Sequence, residues 1–571
     1  MPSVSVVLHA HMPWVLQHGY WPHGEVWLLE AAVHVYVPML QMLERFSISQ
    51  ETSENHILSI GLTPVLLLQL THPDFAPKCM DFIQSRIEQA TNVRKETPEL
   101  AEFWLEKYSA SAEYIQKIQG DIVGKFRYFA EKGWIEILTS SATHGFSPLF
   151  IDDRTFVLQV EKGLAISREI LGQTPTGFWL PECAFLPQSY QESPVDRRRI
   201  FRRGIDRILE EHGISHFFVE SVALDNTKSE GKIVVENQKE VFLKTSWQEA
   251  QNDPSEWKTV MEPKRVSTTG GMSQIHAFAR HPELCAQVWA ADGGYPGDGR
   301  YLEFHKKHGD LKLWAVTSRS TDLGEKQLYN PMLAKQATTE HAQHFAHLIE
   351  KKFAEAPSKE LQKNGHITLC FDAELFGHWW FEGVDFLENL FQLLQQHPDI
   401  ILCSPKNVVQ QRPSTKVVWI PECTWGANAN HSVWLHDGVR WMWKVMHSIE
   451  ERFWGMRSEI QNIVSTKTKK RSSKNSLIKE LFLRLEWEML LVQASDWIFV
   501  ITTKGAVDYG HRRFCLHVER WERLYALITK IKAQEKPVLS VIEKAQLEEI
   551  RQYQGNISNI PFTAQTPFIS G

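Results

Sequence analysis

Residues 4–11 read VSVVLHAH, a β-favouring apolar run that ends in two histidines. The run is short and β-rich, the pattern of a strand. His9 and His11 stand two positions apart, so on an extended segment both rings point the same way and can serve one site. Comparable runs recur at 57–62, 135–139, 177–180, 216–220, 313–317 and 367–371, and one at 400–403 is either a further strand or a flank. Helix-favouring sequence separates them, the order of parallel strands joined by crossovers. The polar residues at or beyond the run ends, among them His9, His11, His144, Glu182, Glu220 and Asp372, then fall where a barrel of parallel strands gathers its site. The expected fold is α/β, a barrel of seven strands and an incomplete one.

Two interruptions break the alternation. Residues 72–130 are charged and helix-favouring, long enough for a helical insertion between the second and third strands. Residues 222–265 are polar and weakly periodic, either a functional lid or a segment without fixed order. Beyond about residue 411 the strand signals fade, and 476–500 and 505–534 space Leu, Trp, Phe and Val as helices do. The expected organisation is a catalytic barrel over 1–410, carrying the insertion and the long loop, and a helix-rich C-terminal domain over 411–571.

At 571 residues the chain can bury a large core without staples, and its formal charge of -6 is small for that size. Its one basic cluster, KTKKRSSK at 467–474, reads as a solvated loop, so neither nucleic acid nor a membrane surface is an expected partner. Seven scattered cysteines with no CxxC suggest neither a disulfide framework nor a thiolate zinc site, and a reducing cytoplasm is the expected location. The first residues, MPSVSVVLHAHMP, lack a basic region followed by a long apolar stretch. No later run approaches the roughly 18 apolar residues of a membrane span. The 21 tryptophans are many for this length, and flat indoles in polar settings suit the apolar faces of sugars as well as a protein core.

Two further strings carry chemistry. GFWLPECAF, 177–185, sets Glu182 at the end of an apolar strand among Trp179, Cys183 and Phe185, an expensive place for a carboxylate without a purpose. In FDAELFGHWWFEG, 371–383, Asp372 and Glu374 share a face of an extended segment, and His378, Trp379 and Trp380 follow. Glycoside transfer needs two carboxyl groups across the scissile bond, one ionised to attack and one protonated to assist the leaving oxygen. Aromatic surroundings can hold one of them protonated by desolvation. A competing reading is a metal-dependent hydrolase built on the His9 and His11 pair. A non-catalytic glycan-binding protein is a third.

Together with GLTPVLLLQL, ILTSSATHGFSPLF, FARHPELCAQVWAADGGYPGDGRYLEFHKK and LVQASDWIFVITT, these strings make the chain resemble glycoside hydrolase family 57, and within it the 1,4-α-glucan branching enzymes. The resemblance implies an incomplete (β/α)7 barrel, an inserted helical domain and a helical C-terminal domain closing over the cleft. It implies that Glu182 is the nucleophile and Asp372 the general acid/base. Carried to matching positions, it places His9, His11, Trp27, His144, Arg280, Trp289, His378, Trp379, Trp425, Trp434, Asp496 and Trp497 at the binding site for an α-1,4-glucan. It implies no metal or organic cofactor. The activity expected is glucan branching by retaining double displacement, with α-amylase or 4-α-glucanotransferase as the alternative using the same pair.

The chain departs from the family pattern at three places. Branching enzymes of the family carry a tyrosine on a mobile loop after the fifth strand, yet no tyrosine lies between Phe218 and Gly294; Trp247 and Trp257 occupy the corresponding stretch. The family's WGEGG is here WGANA, 425–429. The acidic residue usual after Arg280 is His281, which removes one expected partner of the guanidinium. An internal echo, FWLPECAF at 178–185 and VWIPECTW at 418–425, offers Glu422 as a rival nucleophile, but Glu182 follows a mid-barrel strand and matches the family string residue by residue, and the second copy reads as coincidence.

Overall fold

The computed structural model describes residues 1–20, 22–48, 52–224, 227–236, 239–244, 259–290, 293–465 and 473–554. The chain forms two compact units: Met1–Thr139 with Pro175–Trp179 and Gly213–Pro421, and Ser140–Thr174 with Leu180–His212 and Glu422–Gly571. This partition cuts across the sequence-based division near residue 411, because the segments after the third and fourth strands pack with the C-terminal helices.

The first unit holds a barrel. Its strands are β1 (Ser3–Ala10), β2 (Leu58–Leu62), β3 (Ile135–Ser140), β4 (Gly177–Trp179), β5 (His216–Val219), β6 (His276–Ala279) and β7 (His366–Asp372), in the order β7-β1-β2-β3-β4-β5-β6. Pairing is parallel from Ser3 opposite His366 to His9 opposite Asp372, and β5 runs parallel to both β4 and β6. A single parallel bridge, Arg280 to Thr368, joins the end of β6 to β7. One bridge in place of a ladder makes this an incomplete (β/α)7 barrel. All eight residues of β1 are buried, as its near-continuous apolar run requires of a strand covered on both sides.

One strand differs from the sequence reading. Residues 313–317 do not enter the barrel; they make local antiparallel bridges, Leu302 to Ala315 and Trp314 to Leu328. The sixth barrel strand is instead His276–Ala279, whose HAFA has no β-branched residue and owes its extended form to pairing with β5. The 400–403 run is a flank: only Ile401 and Leu402 pair, with Ser3 and Val4.

Between β2 and β3 lie helices Phe75–Asn92, Pro98–Lys117 and Ile122–Glu131, the last capped by the Asp121 carboxylate on Gly124 N at 2.7 Å. Within the 222–265 stretch, Lys228–Glu236 and Lys239–Lys244 form an antiparallel hairpin whose first strand pairs with Lys416–Trp419. Trp247 and Trp257 lie outside the described residues. Against the expectation of no such run, the helical stretch Glu25–Ser47 is long and apolar enough to cross a membrane, but most of it is buried in the protein. A π-helical turn at Ala32–Tyr36 interrupts it.

The second unit is helical: α1 (Asp153–Leu171), α2 (Arg440–Ser465), α3 (Ser473–Val492), α4 (Ser495–Thr502), α5 (Val507–Ala533) and α6 (Val541–Gln554). Polar clasps set its packing. Trp454 of α2 donates to Thr155 of α1 at 2.9 Å, and Lys162 of α1 pairs with Glu486 of α3 at 2.7 Å, both side chains buried. A buried relay joins Arg513 to His517, His517 to Glu488 and Glu488 to Gln554 across α5, α3 and α6.

Candidate active site

The chain leaves β4 at Trp179 and makes one tight turn over Pro181–Cys183. Glu182 and Cys183 both have positive φ, 59° and 48°, a left-handed conformation that costs L-residues roughly 1–3 kcal/mol each. Surrounding bonds hold it in place. Cys183 N donates to Leu180 O, Phe185 and Cys423 exchange backbone bonds of 2.9 and 3.2 Å, and Trp425 N donates to Glu182 O at 3.0 Å. The internal echo is therefore structural: the two PEC strings lie antiparallel, bridged at Phe185 and Cys423.

This turn delivers the Glu182 carboxylate into a ring of donors. Trp425 Nε1 donates to Oε2 and Ser495 Oγ to Oε1, each at 2.8 Å, and His144 Nδ1 stands 3.8 Å from Oε1. Ser495 Oγ also contacts His144 Nδ1 at 3.0 Å, while Ser495 N donates to His144 O. Both carboxylate oxygens thus accept from neutral donors, which favours the ionised, nucleophilic form and fixes its direction. Ser495, at the start of α4 inside LVQASDWIFVITT, is the residue sequence reasoning passed over; its place directly before the expected Asp496 and Trp497 was the available signal.

The other expected residues of this unit sit differently. Trp434 is buried and stacks on Phe146 at 4.5 Å. Trp497 is buried too, its indole donating to Leu491 O at 2.8 Å and its face under the Arg513 guanidinium. Asp496 is half-buried in the first turn of α4. Glu422, the rival nucleophile, is an exposed residue whose carboxylate is ion-paired with His431 and accepts from Gln191 at 3.3 Å.

In the barrel unit the strand ends gather a second set. Asp372 closes β7 directly opposite His9 of β1. The His9 ring lies flat on Trp179, 4.8 Å between centroids and 9° between planes; its pKa is driven well down by burial and then by His11, so it is neutral. His11 Nδ1 contacts Thr63 Oγ1 at 3.1 Å, and its backbone N donates to Glu374 Oε1. Tyr36 OH donates to the same oxygen at 2.6 Å, and desolvation raises the Glu374 pKa to about 7. Of the two carboxyls in the FDAEL string, Glu374 therefore braces the His11 segment. Arg280 has a partner without the missing acid: its Nε lies 2.6 Å from Glu220 Oε2 at the end of β5. His281 instead caps the helix Pro282–Trp289 by accepting from Leu284 N, and burial lowers its pKa to about 4, which keeps that acceptor neutral.

Farther out, His378 stands 3.3 Å from Glu30, the half-buried Trp27 packs on His23, and Trp379 stacks on Phe304 at 4.3 Å with half its surface open. Trp289 is similarly open. Exposed flat rings of this kind offer sugar faces a platform.

Parallel strands with carboxylates, neutral histidines and indoles at their C-terminal ends define an α/β enzyme of carbohydrate chemistry. Residues 5–421 match the model described as glycosyl hydrolase family 57, and 456–551 match that described as 1,4-alpha-glucan branching enzyme, C-terminal. The chain belongs to glycosyl hydrolase family 57. It is 33% identical to a 1,4-alpha-glucan branching enzyme of Thermococcus kodakarensis over 91% of this chain and 73% of that one. Among solved structures, the family 57 branching enzyme of Pyrococcus horikoshii matches with a TM-score of 0.82 at 29% identity, covering 98% of this chain and 96% of that one. The alpha-amylase AmyC of Thermotoga maritima matches with a TM-score of 0.75 at 26% identity, covering 97% and 96%.

Proposed function

We propose that the chain is a 1,4-α-glucan branching enzyme working by retaining double displacement. Asp372 protonates the glycosidic oxygen of an α-1,4 bond while Glu182 attacks the anomeric carbon, giving a β-glycosyl-enzyme and a free chain end. Asp372, now ionised, takes the proton of a 6-hydroxyl as that oxygen displaces Glu182, and an α-1,6 bond forms with its configuration restored. The observation that carries the reading is the Glu182 carboxylate held at both oxygens by Trp425 and Ser495. Trp379 and Trp289, with open ring faces, are the platforms proposed for the glucan. We place the activity in glycogen-type glucan synthesis in the cytoplasm, a setting consistent with seven free cysteines.

The test is to incubate amylose with the protein and count α-1,6 linkages by proton NMR. New branch signals with few new reducing ends are expected. Reducing ends that rise without branches would replace branching by the second reading, an α-amylase, which the absence of a tyrosine from Phe218 to Gly294 favours.

A further inference from the structure

A cavity of about 730 Å³ opens in the barrel unit between four helices: Val37–Ser47, Pro98–Lys117, Pro331–Ala354 and Gly383–Gln395. Its volume lies in the range of pockets that enclose small ligands, about 300–1,000 Å³. None of the residues at the strand ends lines it.

The lining has three properties that select a ligand. First, Phe103, Tyr329 and Phe381 form an aromatic wall, with Phe103 5.8 Å from Tyr329 and 6.1 Å from Phe381. Second, hydrogen-bonding groups stand unused. The amides of Gln41 and Gln392 bond nothing among the described residues, while buried His34 is held by Nε2 against Tyr108 at 3.2 Å. Third, the lining sets Arg45, Lys107 and Lys335 against Glu106, Glu382, Asp385 and Glu388, with Arg45 already paired to Glu388 and the Glu382 pKa raised by desolvation to about 7, so the net charge is small.

The site is also preformed. His34 lies in the π-helical turn Ala32–Tyr36, and the turn is locked against the loop that carries Phe381: a Cβ on Gly377 would stand 1.9 Å from His34 O, so only glycine, here at φ 126°, fits. Insertions of this kind in a helix recur at functional sites.

Aromatic walls, free amides and a small net charge suit a neutral polyhydroxylated ring better than an anion or a lipid. We propose that this cavity is a second binding site for an α-glucan chain, anchoring the polymer away from the strand-end carboxylates. The ligand class rests on the function proposed above; the existence of the site does not.

The experiment is native electrophoresis of the full chain through gels containing amylopectin, with turnover of a short maltooligosaccharide measured in parallel. The variants are Ala110→Trp, which fills the cavity from an exposed position on its rim, and Gln392→Ala, which removes a free amide. Each is expected to weaken retention at least fivefold while turnover stays within twofold. Should Ala110→Trp lower the melting temperature, Gln392→Ala carries the test. Retention equal to that of the unaltered protein in both variants, or no retention of the unaltered protein, overturns the second site. Failure of the unaltered protein to act on any glucan would overturn the proposed function instead, and the gel reads the site without turnover.

Discussion

Trp425 Nε1 donates to Glu182 Oε2 across 243 residues of chain, at 2.8 Å. The bond joins the two copies of the PEC string and gives WGANA a task its composition does not display. Phenylalanine in place of Trp425 would keep most of the ring and delete the donor. Hydrogen bonds to charged groups contribute roughly 1.5–3 kcal/mol, so kcat/KM for Trp425→Phe should fall about 10- to 100-fold with the melting temperature little changed. Activity equal to that of the unaltered enzyme would show that the indole only packs.

Ser495 acts on the opposite oxygen and on His144 at once. Ser495→Ala should cost about tenfold in kcat/KM, and its effect should not add to that of Trp425→Phe, since both donors orient one carboxylate. A double-mutant cycle measures this. Strict additivity would mean that the two donors serve separate purposes.

Glu182 and Glu422 end matching strings yet stand in opposite settings: one enclosed by neutral donors, the other exposed and ion-paired with His431. With Glu182 as the proposed nucleophile, Glu182→Gln should lower turnover at least about a thousandfold. Glu422→Gln should retain activity within a few-fold. Trapping with a mechanism-based fluoroglucoside and peptide mass mapping would place the label on Glu182; a label on Glu422 would reverse the assignment.

The parts legible in the sequence are those in which local pattern and tertiary role agree. β1 and β7 are apolar runs that end in chemistry, and they were readable from VSVVLHAH and ITLCFDAE. β6 was not, because four residues without β-branching are strands only through their neighbours, whereas LWAVT at 313–317 has the composition of a strand and pairs locally. At the candidate site, the apolar setting of Glu182 is visible in the sequence. The positive φ that aims it, the grip of Ser495 and the pairing of Arg280 with Glu220 depend on which distant segments meet, and no local pattern encodes that.

WGANA raises a stability question of its own. Asn428 and Ala429 adopt φ of 62° and 52°, the region glycine occupies freely in the family's WGEGG. Asparagine tolerates it, but alanine is strained there by roughly 1–2 kcal/mol, offset in part by the chain entropy a glycine adds to the unfolded state. Ala429→Gly should therefore raise stability by up to about 1 kcal/mol, read as a higher midpoint in urea. A lower midpoint would mean that the Ala429 methyl makes contacts worth more than the strain.

Glu374 supplies a pH dependence with a definite sign. Its pKa rises from 4.5 to about 7, chiefly through desolvation, so the folded protein binds a proton that the unfolded chain releases earlier. The stabilisation is complete below pH 4.5 and is lost as pH rises toward 7, up to about 3 kcal/mol at about 1.4 kcal/mol for each pH unit. Glutamine can keep the oxygen that accepts from Tyr36 OH and His11 N and removes the titration. Glu374→Gln should therefore match the parent near pH 4.5 and exceed it in stability at pH 8, in urea melts across the range. Parallel stability profiles for the two proteins would show that Glu374 stays ionised in the fold, with its charge compensated by groups other than Tyr36.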